Sequence, residues 1–477
     1  MAIKRVFIVA DHGLAIFYFF QSEVISTLLE EGVEAVILTD EQSIEPIKER
    51  FGQPGLIFEG LRLNEVQKYI NSNSPTVQWW LDFLRRAGAA GGTNLAVVES
   101  YIRQVKSEAH ARRRRFFPIM EVLIKVLRRS RTARQLLVRF QHRYTPDLYD
   151  DLFEKYQPDL LIASSPGFRL DRYVLRAAAK HKVSTTAAIF SWDSSSSYGL
   201  PGAEVDRITC WSEIQKRELV GGADWDPVDV NVGGMPPYDG YVGKKWLMKR
   251  EEYFKVHGLD PSRKLLTYAS SFVNLSPNIQ NVQALVNLVN SDQLSAPSQL
   301  LIRLHPIHMS GYYEEEADHI RQLAAENPHV HVVEPKQTGD LGFYAFDDMP
   351  EKSSMMGLAD IFLTVYSTMC VEASFHERPI ISVCIDSDIG WPGKYWLPMS
   401  QIGIWPTHSR FRASGAGRIA TSEAELREAI NAYFADPYAD LTKQKEFAIR
   451  ECTFVDGSSG RRTGEYFVSL FNGKDGQ

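Results

Sequence analysis

The strongest constraint on this fold is a repeated alternation of short β-branched runs with helical segments. Lys4–Ala10 is apolar and strand-like, and it stops at Asp11-His12-Gly13. An apolar-rich segment, Leu14–Glu31, predicts one helix ending at Gly32, and Val33–Thr39 reads as a second strand. Strand, helix, glycine, strand is the pattern of parallel strands joined by a helical crossover. It resumes at Asp159–Ser164, with a helix near Asp171–His181, then Val183–Phe190, Arg207–Trp211 and Val228–Val232.

A second series follows Gly233-Gly234-Met235-Pro236-Pro237. Lys264–Ala269, Gln299–Leu304, Val330–Val333, Asp360–Val365 and Pro379–Ile385 are continuous apolar runs, as in strands buried on both faces. Two series predict two Rossmann-like α/β domains with parallel sheets facing a central cleft. The expected domains are 1–236, and 237–477 with its last helix packing back on the first. The length of 477 residues accommodates both, at about 100–200 residues per domain.

Thr76–Arg143 interrupts the first series and reads as a helical insertion. From Arg112 to Arg143 there are eleven Lys/Arg against the single acid Glu121, a net +10. The whole chain carries −6, so the remainder carries −16. With no nucleic-acid module around it, nucleic acid is not the expected partner. The insertion is either a solvated helical face or a cationic amphipathic surface for anionic membrane lipid. No run reaches the roughly 18 apolar residues of a membrane-spanning helix. Four dispersed cysteines match no metal-ligand spacing. The reading is a cytoplasmic protein, with peripheral contact to the inner membrane face left open.

Open parallel sheets bind ligands beyond the carboxyl ends of their strands. After the Asp360–Val365 strand come Tyr366-Ser367-Thr368 and a helix starting near Met369. Ser367 and Thr368 suit a helix start that accepts an anion. Glu372 lies four residues past Thr368, outside capping-box spacing, and so is available to ribose hydroxyls. Capping by Ser367 and Thr368 alone is the competing reading. Arg303 and His305 of Arg-Leu-His-Pro emerge at another strand end, suited to phosphate. Ser270 and Ser271 follow a third strand, as donor contacts or as a turn. Arg461, in Asp456–Arg462, is a candidate to complete a phosphate clamp. In the first domain Asp11, His12 and Asp193 are the candidate bases for an acceptor hydroxyl, with no choice among them. Asp386-Ser387-Asp388 is read as a chance DxD. No metal or cofactor is called for, and Gly13 does not begin a dinucleotide-binding GxGxxG.

FSWDSSSSYGL (190–200), WSEIQKREL (211–219), VGGMPPYDGY (232–241), RLHP (303–306), YSTMCVEASFHERPII (366–381) and DGSSGRR (456–462) together resemble one family. It is that of the CDP-glycerol glycerophosphotransferase-like and surface-carbohydrate glycosyltransferases, which have the GT-B fold. The resemblance covers roughly 183–462 and excludes the basic insertion. It implies a nucleotide donor held by the C-terminal domain, with His305, Ser367 and Thr368 at its phosphates and Glu372 toward the ribose. The acceptor and the base then belong to the N-terminal domain. Ser367-Thr368, in place of Ser-Ser, favours a sugar over a polyol phosphate. The implied activity is metal-independent transfer of a sugar from a CMP-, CDP-, UDP- or GDP-linked donor to a glycan or lipid-linked acceptor of the cell envelope. CDP-polyol transfer, nucleotide-sugar 2-epimerisation and non-catalytic binding are the alternatives.

Overall fold

The structure is a computed structural model, and it describes residues 3–270, 277–291, 293–309, 313–336, 348–387 and 395–472. The described chain forms two compact units. One holds residues 3–239 and 452–472, the other 240–336 and 348–451. The described segment from Cys452 onward, which carries the last helix, groups with the first unit.

The first unit is built on a seven-stranded sheet: β1 (Arg5–Ala10), β2 (Glu34–Thr39), β3 (Leu56–Gly60), β4 (Leu160–Ala163), β5 (Ser184–Ala188), β6 (Arg207–Cys210) and β7 (Val230–Val232). All pairs are parallel, in the order β3-β2-β1-β4-β5-β6-β7. Strand order reverses between β1 and β4, so the ends of those two strands flank the switch point where such sheets bind ligands. Phe7, Val9, Val36 and Leu161 pack with Tyr149, Phe153 and Val174 in its core.

The segment expected as one helix over Leu14–Glu31 is two, Gly13–Phe20 and Val24–Glu30. Ser22 causes the break: its hydroxyl donates to the Tyr18 carbonyl and accepts from Val24 N–H. The break falls at Gln21-Ser22-Glu23, where three consecutive polar residues interrupt the apolar-rich segment. The final helix, Ser459–Asn472, packs on Val24–Glu30 so closely that a β-carbon on Gly464 would lie 2.6 Å from Thr27 Cβ.

The second unit carries β8 (Lys264–Ala269), β9 (Ser298–Arg303), β10 (Val330–Val333), β11 (Ile361–Thr364), β12 (Ile380–Val383) and β13 (Arg418–Ala420). These six are also all parallel, in the order β10-β9-β8-β11-β12-β13, and the switch point lies between β8 and β11. Leu266, Leu300, Ile361 and Ile381 form its central layer.

The insertion is wholly helical: Pro75–Ala87, Leu95–Glu108, Ala111–Arg114, Phe117–Arg129 and Arg131–Phe140. It has its own small core of Trp80, Phe83, Ile102, Phe117, Ile124 and Leu127. The four cysteines are buried and form no disulfide, and among the described residues no helix is long and apolar enough to cross a membrane.

Candidate functional site

In the first unit the chain leaving β1 places Asp11 and His12 at the switch point. His12 Nδ1 lies 2.5 Å from Asp11 Oδ1. The same carboxylate accepts from Ser164 Oγ at 2.6 Å, just past β4, and faces Arg169 Nε at 3.5 Å. Burial opposes a charge on Asp11, but His12, Arg169 and the Ser164 hydrogen bond prevail and hold its carboxyl down to about 2. An ionised Asp11 fixes the proton of a neutral His12 on Nδ1, leaving Nε2 as the basic nitrogen. Nε2 has no hydrogen-bond partner among the described residues, and the ring packs on Phe190 at 5.8 Å, just past β5.

The loop beside this pair is held by Asp171. Its carboxylate accepts from Ser165 N and Oγ, Gly167 N and Arg169 N. Asp193 differs from Asp11: Oδ1 accepts from Ser191 Oγ at 2.7 Å and Oδ2 from Ser197 Oγ at 3.1 Å. It organises the turn after β5, and both its oxygens are engaged there.

In the second unit Ser270 follows β8 and is buried. Its hydroxyl donates to the Arg303 carbonyl at 3.0 Å and accepts from His305 N–H at 2.6 Å. It therefore ties the ends of β8 and β9 together, while Ser271 lies outside the described residues. Arg303, expected to reach a phosphate, is instead buried, with Nη2 2.5 Å from Asp348 Oδ2. Arg303 is the last residue of β9, a strand buried along its whole length, and its guanidinium stays in the core. His305 does emerge past the strand, half-buried. Burial first, then His308, Arg303 and Lys352, push its imidazole down to about 3, so it is neutral at ordinary pH.

His308 escaped the sequence reading. Its Nδ1 accepts from His305 N–H at 3.1 Å, so its proton sits on Nε2, 2.8 Å from Glu316 Oε2. Glu316 in turn accepts from Asn278 and Ile279 N–H. The signal was present in the spacing of His305-Pro306-Ile307-His308, one turn of a 3-10 helix.

Past β11, Ser367 Oγ accepts from Met369 N–H at 3.2 Å, while Thr368 at the helix start makes no side-chain cap. The helix, Met369–Ala373, has five residues, too few for a substantial dipole. Glu372 is not the unengaged carboxylate expected from spacing. It is buried, with Oε2 2.6 Å from Lys352 Nζ and 2.5 Å from Tyr241 O–H. Spacing from Thr368 says nothing of Lys352 or Tyr241, which come from distant segments. Oε1 has no hydrogen bond among the described residues. Lys352 acts electrostatically on both Glu372 and His305, which links the β9 and β11 strand ends.

Arg461 is engaged locally. It sits in the first unit on the final helix, exposed, 3.1 Å from Glu465 and 3.9 Å from Glu30. The glycine-rich motifs around it are structural partners. Asp239 Oδ1 and Oδ2 accept from Ser459 N (3.1 Å) and Gly460 N (2.7 Å), capping the last helix. Gly234 has φ +88°, and a β-carbon there would lie 2.4 Å from Ser459 Oγ. Asp386 Oδ1 accepts from Ser400 N at 3.1 Å; Asp388 lies outside the described residues. Among the described residues no cluster has three metal-ligating side chains.

No protein-family model and no curated protein matches this chain. It is similar to solved structures across nearly its whole length. A UDP-GlcNAc 2-epimerase from Neisseria meningitidis bound to UDP-GlcNAc aligns with 98% of this chain and 100% of that one, at 11% identity and TM-score 0.54. The S. aureus MnaA–UDP co-structure aligns with 98% and 97%, at 10% identity and TM-score 0.53. A Methanocaldococcus jannaschii UDP-GlcNAc 2-epimerase in complex with UDP-GlcNAc and UDP aligns with 98% and 99%, at 12% identity and TM-score 0.51. At such identities the likeness speaks to architecture, and with the two parallel sheets it shows that this chain has a GT-B-type fold of two Rossmann-like units.

Proposed function

We propose that this protein is a glycosyltransferase that moves a sugar from a nucleotide-activated donor to an acceptor hydroxyl. The observation that carries the reading is the Asp11–His12 pair at the switch point of the first sheet, with Nε2 left open. Of the three candidate bases, His12 takes the catalytic role and Asp11 positions it; the engaged oxygens of Asp193 argue for a structural one. The acceptor hydroxyl attacks the anomeric carbon of the donor, forming the new C–O bond as the bond to the nucleotide phosphate breaks. The hydroxyl proton passes to His12 Nε2, and Asp11 stabilises the imidazolium. The electron pair of the broken bond leaves on the nucleotide.

The second unit supplies the donor roles. Neutral His305 and the hydroxyls of Ser367 and Thr368 serve the phosphates, and Glu372 Oε1 serves the ribose. Support comes from the fold and from the convergence of these residues on the β8, β9 and β11 ends. Arg303 and Ser270 shape that edge from within, and Arg461 has no donor role. No metal enters the scheme. A lipid-linked or glycan acceptor of the cell envelope suits the reading. Polyol-phosphate transfer would use the same two sites.

A second reading is favoured by one observation: structures similar over nearly the whole chain are named as UDP-GlcNAc 2-epimerases. Epimerisation would use the same base to exchange a sugar proton. The test is incubation with UDP-GlcNAc in deuterated water, followed by NMR and mass spectrometry. Deuterium entry at C2 assigns the epimerase. Donor breakdown to nucleotide without deuterium, stimulated by an acceptor, assigns the transferase. Failure to bind CMP, CDP, UDP or GDP in titration calorimetry would sink both.

A further inference from the structure

The helical insertion carries more apolar surface than its own core covers. Helix Phe117–Arg129 buries Phe117, Ile124 and Leu127 against Trp80 and Phe83. Yet Ile119, Val122 and Val126 of the same helix are 57%, 59% and 50% exposed. At about 100° per residue, these three and Leu123 form an arc facing away from the buried side chains. On the next helix Leu136, 60% exposed, and Phe140 stand one turn apart. An amphipathic helix of a free-standing soluble bundle needs only one apolar face, and this one has two.

Cations border the exposed arc. Lys125 and Arg129 fall beside Val122 on the helix surface. Arg115 lies over the Phe116 ring at 5.5 Å and Arg143 over Phe140 at 4.8 Å. Four acids of the neighbourhood are spent elsewhere, Glu121 on Lys106, Glu99 on Arg128, Asp224 on Arg134 and Glu204 on Arg139. Arg112, Arg113, Arg115, Lys125, Arg129 and Arg143 have no carboxylate partner among the described residues.

We infer that this face docks on an anionic lipid bilayer, with the apolar arc in the headgroup–acyl boundary and the cations on lipid phosphates. Charge complementarity selects this occupant. A second copy would set the same cations against themselves. Nucleic acid would satisfy the arginines and leave Ile119, Val122 and Val126 in water. The inference does not rest on the transferase reading, because docking is scored without substrate.

The insertion is also rooted beside the first unit's strand ends. Asp82 lies 3.0 Å from Arg85 and 2.6 Å from Arg172, one residue past the Asp171 that holds the loop by Asp11. Arg85 Nη1 donates to the Tyr198 and Leu200 carbonyls, just past the β5 turn. A surface holding a lipid is thereby tied to the loops around His12.

The test is co-sedimentation of the full chain with phosphatidylcholine vesicles, with and without phosphatidylglycerol. Retention is expected on the anionic vesicles alone, weakened by salt. Arg112→Gln should weaken it about fivefold and Arg112→Gln/Arg115→Gln correspondingly more. Ile119→Ser/Val122→Ser/Val126→Ser should weaken it at least about a hundredfold, with an unchanged circular dichroism spectrum. Absence of retention at low salt, or equal retention of all variants, would overturn the inference. So would a dimer, seen by light scattering, that the triple variant dissolves, or an RNA affinity exceeding that for vesicles.

Discussion

Lys352 Nζ lies 2.6 Å from Glu372 Oε2, and both side chains are almost wholly buried. The pair joins a helix preceding β11 to the short helix following it, and Tyr241 O–H completes the coordination of the same oxygen. Removing the cation strands a buried carboxylate. Lys352→Met is therefore expected to destabilise the protein by about 3–5 kcal/mol, read as a lowered denaturant midpoint. Glu372→Ala removes the ribose contact proposed for Oε1, and calorimetry should show nucleotide affinity lowered about tenfold or more. Full affinity in that variant would remove Glu372 from the donor site.

The Asp11–His12 pair makes a different demand. His12→Ala is expected to lower kcat by about 10²–10⁴ while leaving nucleotide affinity unchanged, because the base acts only in the chemical step. Asp11→Asn should also lower kcat, by releasing the ring from its single tautomer. Asp193→Asn, which keeps oxygen and amide hydrogen-bonding capacity at its turn, should retain most activity. Turnover and calorimetric titration of the three variants check the assignment, and wild-type kcat in His12→Ala would refute it.

Asp239 and Ser459 test the structural reading of the two glycine-rich motifs. Asp239→Ala removes the cap of the final helix and should cost about 1–2 kcal/mol in thermal or denaturant unfolding. Gly234→Ala should cost more than that, since its β-carbon would meet Ser459 Oγ at 2.4 Å in a backbone conformation with φ +88°. Equal stability of either variant with the wild type would show that the motifs are not held together by this contact.

The central strands were legible because both faces are buried, which makes β1, β8, β11 and β12 continuous apolar runs. The strands that escaped the reading, β3 (Leu56–Gly60) and β13 (Arg418–Ala420), are edge strands, short and partly exposed. The candidate site was legible in its strand-end positions but not in its pairings. Asp11, His12, Ser270, His305, Ser367 and Glu372 all follow the expected strand ends. Lys352 and Tyr241 reach Glu372, and Asp348 reaches Arg303, from tens of residues away or more, and no local spacing encodes those meetings. The pairing of Arg461 is hidden for a related reason: a basic residue beside glycines looks alike whether it faces phosphate or Glu465.

His408 is buried between the rings of Tyr366 (centroids 4.8 Å apart) and Trp405 (5.8 Å), beside the turn that carries Ser367. Burial, then the nearby Arg410, push its imidazole down to about 3 from the ordinary 6.5. Between those values the unfolded chain binds a proton that the folded chain refuses, so stability rises with pH. The contribution is complete above about pH 6.5 and is lost progressively as pH falls toward 3. Each pH unit in that window costs at most about 1.4 kcal/mol for one such group. Half-buried His305 and His376, pushed down to about 3 and about 4 by burial and neighbouring cations, act in the same direction. Urea midpoints should therefore drop between pH 6.5 and 4.5 in the wild type. His408→Phe keeps an aromatic ring in the stack and removes its proton, so its profile should fall less steeply, by about 1–2 kcal/mol over that interval. Parallel profiles would mean that His408 takes up its proton in the folded state.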